Sequence, residues 1–379
     1  MKLDDIAQAA HVFGRGTVLF DDDLCVNVRG RKVICRSCAE ACSPAVISVD
    51  IDGVSLRDED CTDCGACVTA CPVGAAEMAV FSPARFVEAA AGEETVHIHC
   101  SSSRDGGGGI VVPCMVLLDA ELLAATRARS IVVHGLSRCD DCSRQAKPSL
   151  EAVTRLLARW FGAEAPEVRA AQPGEAAQGK RELQDQPKAS RRSFLRFSGL
   201  QAATAAAMSV AWLAPIDPPQ PPSELGIAAS PLRQRPAVRR ALLADVADSL
   251  PWQPEAPLPW NRRVFTEACN ACLTCVPRCP TGALDHRHAD GAREVLHHPG
   301  LCTSCGLCGS VCPQDAVRAR PVRAVAELAE RDAVLVRREV AVCAGCSQEF
   351  MAGDGVNGRC RQCGNERALD EDWLAMLEG

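Results

Sequence analysis

Apolar and polar positions alternate over residues 45–49 and 54–57 on either side of Ile51-Asp52-Gly53, a pattern that predicts a β-hairpin turning at Asp-Gly. The same plan recurs at 282–286 and 294–296 around Ala289-Asp290-Gly291. Between the two hairpins the periodicity changes. Residues 95–99, 110–112 and 130–134 are short β-branched runs, while 119–129 and 149–161 carry apolar side chains at helical spacing. The order strand, strand, helix, strand, helix predicts a small α/β module. From about residue 162 to 189 no periodicity survives, and Ala, Gln, Glu, Gly and Pro dominate, the profile of a mobile linker. Proline-rich sequence over 215–259 predicts a second linker, interrupted by a helical stretch at 236–250.

Hydrophobic residues make up an ordinary 47% of the chain, but tyrosine is absent and aromatics reach only 4%. Small domains without large aromatic side chains need another source of stability, and bound metal is a common one. The 24 cysteines supply it, standing in tight C-x2-C groups rather than as scattered pairs. That spacing points to metal ligation and away from a secreted disulfide framework. A net charge of −7 argues against nucleic acid as a partner, because such binding needs Lys and Arg to neutralise phosphates. The glycine run 106–109 leads into a strand rather than a helix and reads as a loop, and no G-x-G-x-x-G follows a strand.

Three cysteine motifs share one spacing, three thiols at steps of three and a fourth set off by three residues and followed by proline. They are Cys61, Cys64, Cys67 and Cys71-Pro72; Cys269, Cys272, Cys275 and Cys279-Pro280; and Cys302, Cys305, Cys308 and Cys312-Pro313. A fourth motif is stretched. Cys25 is followed by nine residues, then by Cys35, Cys38 and Cys42, with the proline displaced to Pro44. Over about a third of its length the chain resembles bacterial two-cluster ferredoxins and the polyferredoxins built from them. In such proteins three thiolates of a motif hold one cubane and the fourth reaches across to the other. The resemblance therefore implies four [4Fe-4S] clusters: on Cys25, Cys35, Cys38 and Cys71; on Cys61, Cys64, Cys67 and Cys42; on Cys269, Cys272, Cys275 and Cys312; and on Cys302, Cys305, Cys308 and Cys279. If Cys25 does not ligate, its site holds a three-iron cluster or none.

Four more cysteines, Cys100, Cys114, Cys139 and Cys142, fall at the strand ends of the α/β module, where a parallel sheet forms its ligand sites. This segment is similar to the small iron–sulfur subunit of methanogen-type hydrogenase and heterodisulfide reductase complexes, which implies a [2Fe-2S] cluster. Unliganded reduced thiols, or a redox disulfide at Cys139 and Cys142, are the alternatives. His97, His99 and His134 read as strand or loop residues rather than ligands. Cys343, Cys346, Cys360 and Cys363 form two C-x2-C knuckles with the layout of a zinc ribbon, a closed thiolate set that favours structural zinc over a single iron.

Ser190-Arg191-Arg192-Ser193-Phe194-Leu195-Arg196 matches the twin-arginine export signal and precedes an Ala-rich apolar run, 197–216, that is marginal as a membrane span. Three readings stand: an internal signal exporting the C-terminal half, membrane association through 193–216, and a helix left by gene fusion. Asp4 and Asp5 stand where a secretory leader would be basic. The expected location is the cytoplasm or the inner face of the membrane, with export of the C-terminal half open.

The expected fold class is α+β, with an N-terminal extension (1–24), a two-cluster ferredoxin domain (25–93), an α/β cysteine module (94–161), a linker (162–189), the twin-arginine segment (190–216), a Pro-rich linker (217–264), a second ferredoxin domain (265–330) and a zinc ribbon (331–379). No independent catalytic constellation is visible. The expected function is relay of single electrons for a larger oxidoreductase of hydrogenase, formate dehydrogenase or molybdoenzyme type, a partner that the resemblance implies. The rivals are a ferredoxin-fed disulfide or sulfur reductase acting through Cys139 and Cys142, and a non-redox assembly scaffold.

Overall fold

The computed structural model describes residues 18–103, 108–144, 146, 148–172, 174–177, 180–181, 233–330 and 333–378; the twin-arginine segment lies outside them. The N-terminal unit runs through β1 (Val18–Phe20), α1 (Val26–Gly30), α2 (Ser37–Glu40), β2 (Ile47–Val49), β3 (Val54–Leu56), α3 (Ala66–Ala70) and β4 (Ala76–Met78). β1 pairs antiparallel with β4, and β2 with β3. The hairpin turns where the Asp-Gly pattern places it, because the Asp50 carboxylate accepts the backbone N–H groups of Asp52 and Gly53 at 2.8 and 2.9 Å.

The middle module adds α4 (Pro83–Ala90), β5 (Thr95–Cys100), β6 (Gly109–Val112), α5 (Ala120–Ala125), β7 (Ser130–His134), α6 (Leu150–Phe161), β8 (Glu167–Ala170) and β9 (Lys180–Arg181). Its five strands form one parallel sheet in the order β8-β7-β5-β6-β9. Ser82, Asp119 and Ser149 start the three helices by accepting a backbone N–H from within the first turn. α5 stops short of the predicted 129, and Arg127 beyond it is left-handed at φ 60°. The stretch after 162, expected to be a linker, instead contributes β8 and β9 to the sheet.

The remainder comprises α7 (Val238–Val246), β10 (Asn261–Phe265), β11 (Leu284–Ala289), β12 (Ala292–His297), α8 (Leu307–Ser310), β13 (Val317–Pro321), β14 (Val334–Val342), β15 (Glu349–Met351) and α9 (Arg361–Glu378). β10 with β13 and β11 with β12 repeat the plan of the first unit. β14 pairs antiparallel with β12 on one side and with β15 on the other, so the C-terminal segment extends the sheet of the second unit rather than standing apart.

The second expected linker also differs from expectation, because its apolar residues have a shared core to enter. Leu243, Leu258 and Trp260 are buried with Ala120, Leu157, Trp160 and Phe161 of the middle module. The few aromatics are concentrated here, with Trp252 4.9 Å from Phe161 and 5.9 Å from Trp260, centroid to centroid. Charged groups hold α7 and its approach in place. Arg235 donates to Gly74 O at 3.0 Å and pairs with Glu77, Arg239 donates to Leu117 O and Asp119, both at 2.8 Å, and Arg240 pairs with Glu121. This segment clamps all three parts together.

Burial of Trp260 and Leu243 against the middle module predicts that a chain cut between residues 183 and 232 yields two pieces that copurify when co-expressed, while the C-terminal piece alone is insoluble. Two independently soluble, monomeric pieces would contradict the shared core.

Candidate metal centres

The cysteine loops repeat one backbone path. Within each C-x2-C-x2-C, the residue before the central cysteine is left-handed at Asp63 (φ 50°), Ala271 (53°) and Ser304 (60°), and the residue after it at Gly65 (80°), Leu273 (62°) and Gly306 (80°). Three residues past the fourth cysteine the chain is left-handed in every motif, at Ala45, Gly74, Gly282 and Asp315. A left-handed non-glycine residue costs roughly 1–2 kcal/mol, so these loops store strain that something at their centre must offset. The path turns amides onto sulfur. Ala75 N–H donates to Cys71 Sγ at 3.2 Å and Ala316 N–H to Cys312 Sγ at 3.3 Å.

A small concavity is lined by Cys42, Cys61, Cys64 and Cys67, with Val18, Val46, Ile47 and Leu56 around them. A second is lined by Cys269, Cys272, Cys275 and Cys312 with Phe265 and Val295. In each case three cysteines come from one motif and the fourth from its partner, the crossed arrangement that a pair of cubanes needs. The other two sets gather in the same way. Cys38 lies among Cys71, Cys35 and Cys25, and Cys305 among Cys279, Cys302 and Cys308. Burial pushes Cys67, Cys275 and Cys305 up to about 12 and Cys38 and Cys308 up to about 11, with neighbouring thiolates adding to it. Left alone these are protonated thiols at neutral pH, and only an electropositive centre makes them ligands.

Cys25 belongs geometrically with Cys35, Cys38 and Cys71 despite the extra residues after it. The inserted loop is rigid because of Asn27, which is 1% exposed. Its Oδ1 accepts the backbone N–H groups of Ile34 and Cys35 at 2.8 and 2.9 Å, and its Nδ2 donates to Cys35 O at 2.8 Å. The N-terminal turn of α1 presents the Asn27 and Val28 amides to Cys25, opposing the rise that burial causes.

The C-terminal four, Cys343, Cys346, Cys360 and Cys363, are packed differently. Their sulfurs all lie within 4.8 Å of one another, close enough for a single ion. Gly345 and Cys360 donate backbone N–H groups to Cys343 Sγ at 3.3 and 3.2 Å, and the amides around it bring Cys343 down to about 6. Among the described residues no other His, Cys, Asp or Glu group of three or more converges so tightly.

In the middle module Cys100, Cys114, Cys139 and Cys142 follow the carboxyl ends of β5, β6 and β7, but they do not close into such a group. Cys100 Sγ donates to Ser103 Oγ at 3.2 Å, and that hydroxyl in turn donates to Cys100 O at 3.2 Å. Cys114 is buried, and Cys64 of the N-terminal unit is among its neighbours. Arg144 donates to Asp63 O, and Thr62 Oγ1 returns a bond to Arg144 O at 2.9 Å, seating this edge on the Cys61–Cys67 loop. The histidines form a buried group of their own: His97 Nδ1 lies 3.0 Å from His134 Nε2, and His99 stacks on His134 at 4.4 Å. Burial holds His97 and His134 below the usual imidazole range, so they are neutral. Asn27, Arg29 and Arg263 carry structural roles that the sequence reading missed; the signal was a polar residue inside an apolar cysteine-flanking run such as Cys25-Val26-Asn27-Val28-Arg29.

Comparison with known proteins agrees with this geometry. The 4Fe-4S dicluster domain matches at residues 31–75 and 268–316. An uncharacterized ferredoxin of Methanocaldococcus jannaschii is 38% identical over 50 residues, which is 13% of this chain and 76% of that protein. The chain belongs to the two-cluster [4Fe-4S] ferredoxin family. The first matched region begins after Cys25, where the inserted loop departs from the pattern.

Two variants test the inserted loop. Cys25→Ser should convert one four-iron centre to a three-iron centre with its distinct oxidised EPR signal, and Asn27→Ala, which orphans three buried backbone groups at roughly 1–3 kcal/mol each, should impair the same centre. Unchanged iron content and spectra in both would remove Cys25 from the ligand set. For the C-terminal four, Cys346→Ser should lower the content of one metal by a single equivalent, read by elemental analysis, without touching the iron–sulfur spectrum.

Proposed function

We propose that this protein relays single electrons through four [4Fe-4S] clusters to or from a larger oxidoreductase. One observation carries the reading: the two ferredoxin units are not beads on a string but share a core, with Leu307 and Cys305 of the second packed among Leu24, Cys25, Val26 and Cys71 of the first. Thiol sets of both units therefore border one apolar junction, where exclusion of water and fixed positions favour electron exchange. The cluster chemistry is one-electron transfer without bond making. What the chain contributes is a rigid frame, amides aimed at the sulfurs and a dry surround.

The middle module takes one end of this series on this reading, supported by the bonds from Thr62 Oγ1 to Arg144 O and from Thr69 Oγ1 to Val116 O, both 2.9 Å, that seat it on the Cys61–Cys67 loop and on α3. We assign it the terminal position, holding either a [2Fe-2S] cluster or a redox dithiol, and the C-terminal ribbon a structural zinc. Hydrogenase, formate dehydrogenase and molybdoenzyme partners suit such a terminus. Both halves belong in one compartment on this reading, because separating them would expose Trp260, Leu243 and Leu157, each fully buried. No helix among the described residues is long and apolar enough to cross a membrane.

Anaerobically purified protein should carry about sixteen irons in the four motif sets, plus any in the middle module, and take up about four electrons at the cubanes. Fewer than about twelve irons after full reconstitution would sink the four-cluster reading. Replacing Arg191 and Arg192 with Lys should leave both halves where they are in the unmodified chain, and a C-terminal half found alone outside the cytoplasm would contradict the shared compartment.

A further inference from the structure

Two arginines are buried among the described residues, and both lie near one cysteine set, Arg29 near Cys279 and Cys305 and Arg263 near Cys302, Cys305 and Cys308. Arg29, 3% exposed, comes from the inserted loop of the N-terminal unit. Its Nη1 crosses the junction to donate to Pro277 O at 3.2 Å and Cys279 O at 3.3 Å, while Nη2 is buried without a partner. Burial lowers its pKa, and Cys279, Asp23, Asp21 and Cys305 oppose that, so the guanidinium stays charged beside two of the sulfurs. Gly30 next to it lies so close to Leu307 that a Cβ there would stand 2.9 Å from Leu307 Cδ1. Arg263, on β10, is 8% exposed and has its Nε buried without a partner. Its guanidinium bonds Cys302 and faces Cys308 and Cys305. The neighbouring His297 is fully buried and held neutral, down to about 3, by burial and by Arg263 and Arg262, so it contributes no charge of its own.

The other thiol sets lack such company. No arginine is among the groups acting most strongly on Cys25, Cys38, Cys61 or Cys67. Arg338, near Cys269, is half-buried and spends its donors on Cys269 O, Glu267 O and Arg337 O.

We infer that the centre on Cys279, Cys302, Cys305 and Cys308 has the highest reduction potential of the four, and that Arg29 and Arg263 are the positioning residues that raise it. Reduction adds one negative charge in a dry site, and two fixed buried cations stabilise the reduced form more than the oxidised one. The exchange is balanced by one electron leaving the set on Cys25, Cys35, Cys38 and Cys71 as one arrives; no proton moves. Electrons entering from either end collect at the junction, and the N-terminal unit tunes a centre in the C-terminal unit only while the two are docked. This inference rests on the relay reading and adds the order of potentials.

The test is an EPR-monitored redox titration of the anaerobic full-length chain. The centre reduced first should be absent from Cys305→Ser while the other three remain. Arg29→Gln should move that centre alone to more negative potential, and Arg29→Lys, which keeps the charge, should restore most of the shift. Arg263→Gln gives the same shift by a route that leaves the junction contacts alone. A first-reduced centre that survives Cys305→Ser, or equal shifts of all centres, or no shift in either Gln variant with iron retained, overturns the assignment. Wild-type protein without reducible iron would remove the relay reading itself, a different result from any of these.

Discussion

Coordination of buried thiols is the interaction on which the fold depends. The cysteine loops hold left-handed residues such as Ala45, Ala271 and Leu273 at a cost, and their thiols are pushed far above the usual range by burial. The strained loops need compensation, and the neutral thiols ligate nothing until they ionise. Iron offsets both, because it turns neutral buried thiols into bonded thiolates and fixes the loop conformation at the same time. The hairpin β2–β3, with three residues in each strand and too short to persist alone, is anchored on those loops. In a chain without tyrosine this bonding takes the place that large aromatic cores hold elsewhere.

The second organising constraint is the way units share apolar surface. The N-terminal unit and the middle module have one common core, the middle module and the segment around α7 have another, and the two ferredoxin units meet in a third. Arg235, Arg239 and Arg240 direct α7 into that arrangement through partners in both earlier parts. The result connects thiol sets that a linear reading of the chain would separate by 280 residues, Cys25 and Cys305 being the clearest pair. The inserted loop that departs from the ferredoxin pattern forms this contact.

The motifs and hairpins were legible in the sequence because both are local: cysteine spacing fixes ligand geometry, and Asp-Gly fixes a turn. The α/β order of the middle module was legible for the same reason, from β-branched runs and helical periodicity. The helical stretch at 236–250 was legible too and is α7 (Val238–Val246), but residues 251–264 were not. Their prolines, Pro251, Pro254, Pro257 and Pro259, signal a loose segment, whereas Leu258 and Trp260 gain their burial from residues far along the chain that no local pattern reveals. β14 likewise leads by sequence into the C-terminal cysteine knuckles but pairs by hydrogen bonding with the second unit. Arg29 was hidden because its partners, Pro277 and Cys279, lie in the other unit.

The central claim is that the centres of the two ferredoxin units form one connected series. Pulsed EPR on the fully reduced full-length protein measures this through the magnetic interaction between spins. The account predicts that every reduced centre relaxes under the influence of another, including interaction across the junction between the set with Cys71 and the set with Cys279. Two internally coupled pairs with no interaction between the pairs would contradict it.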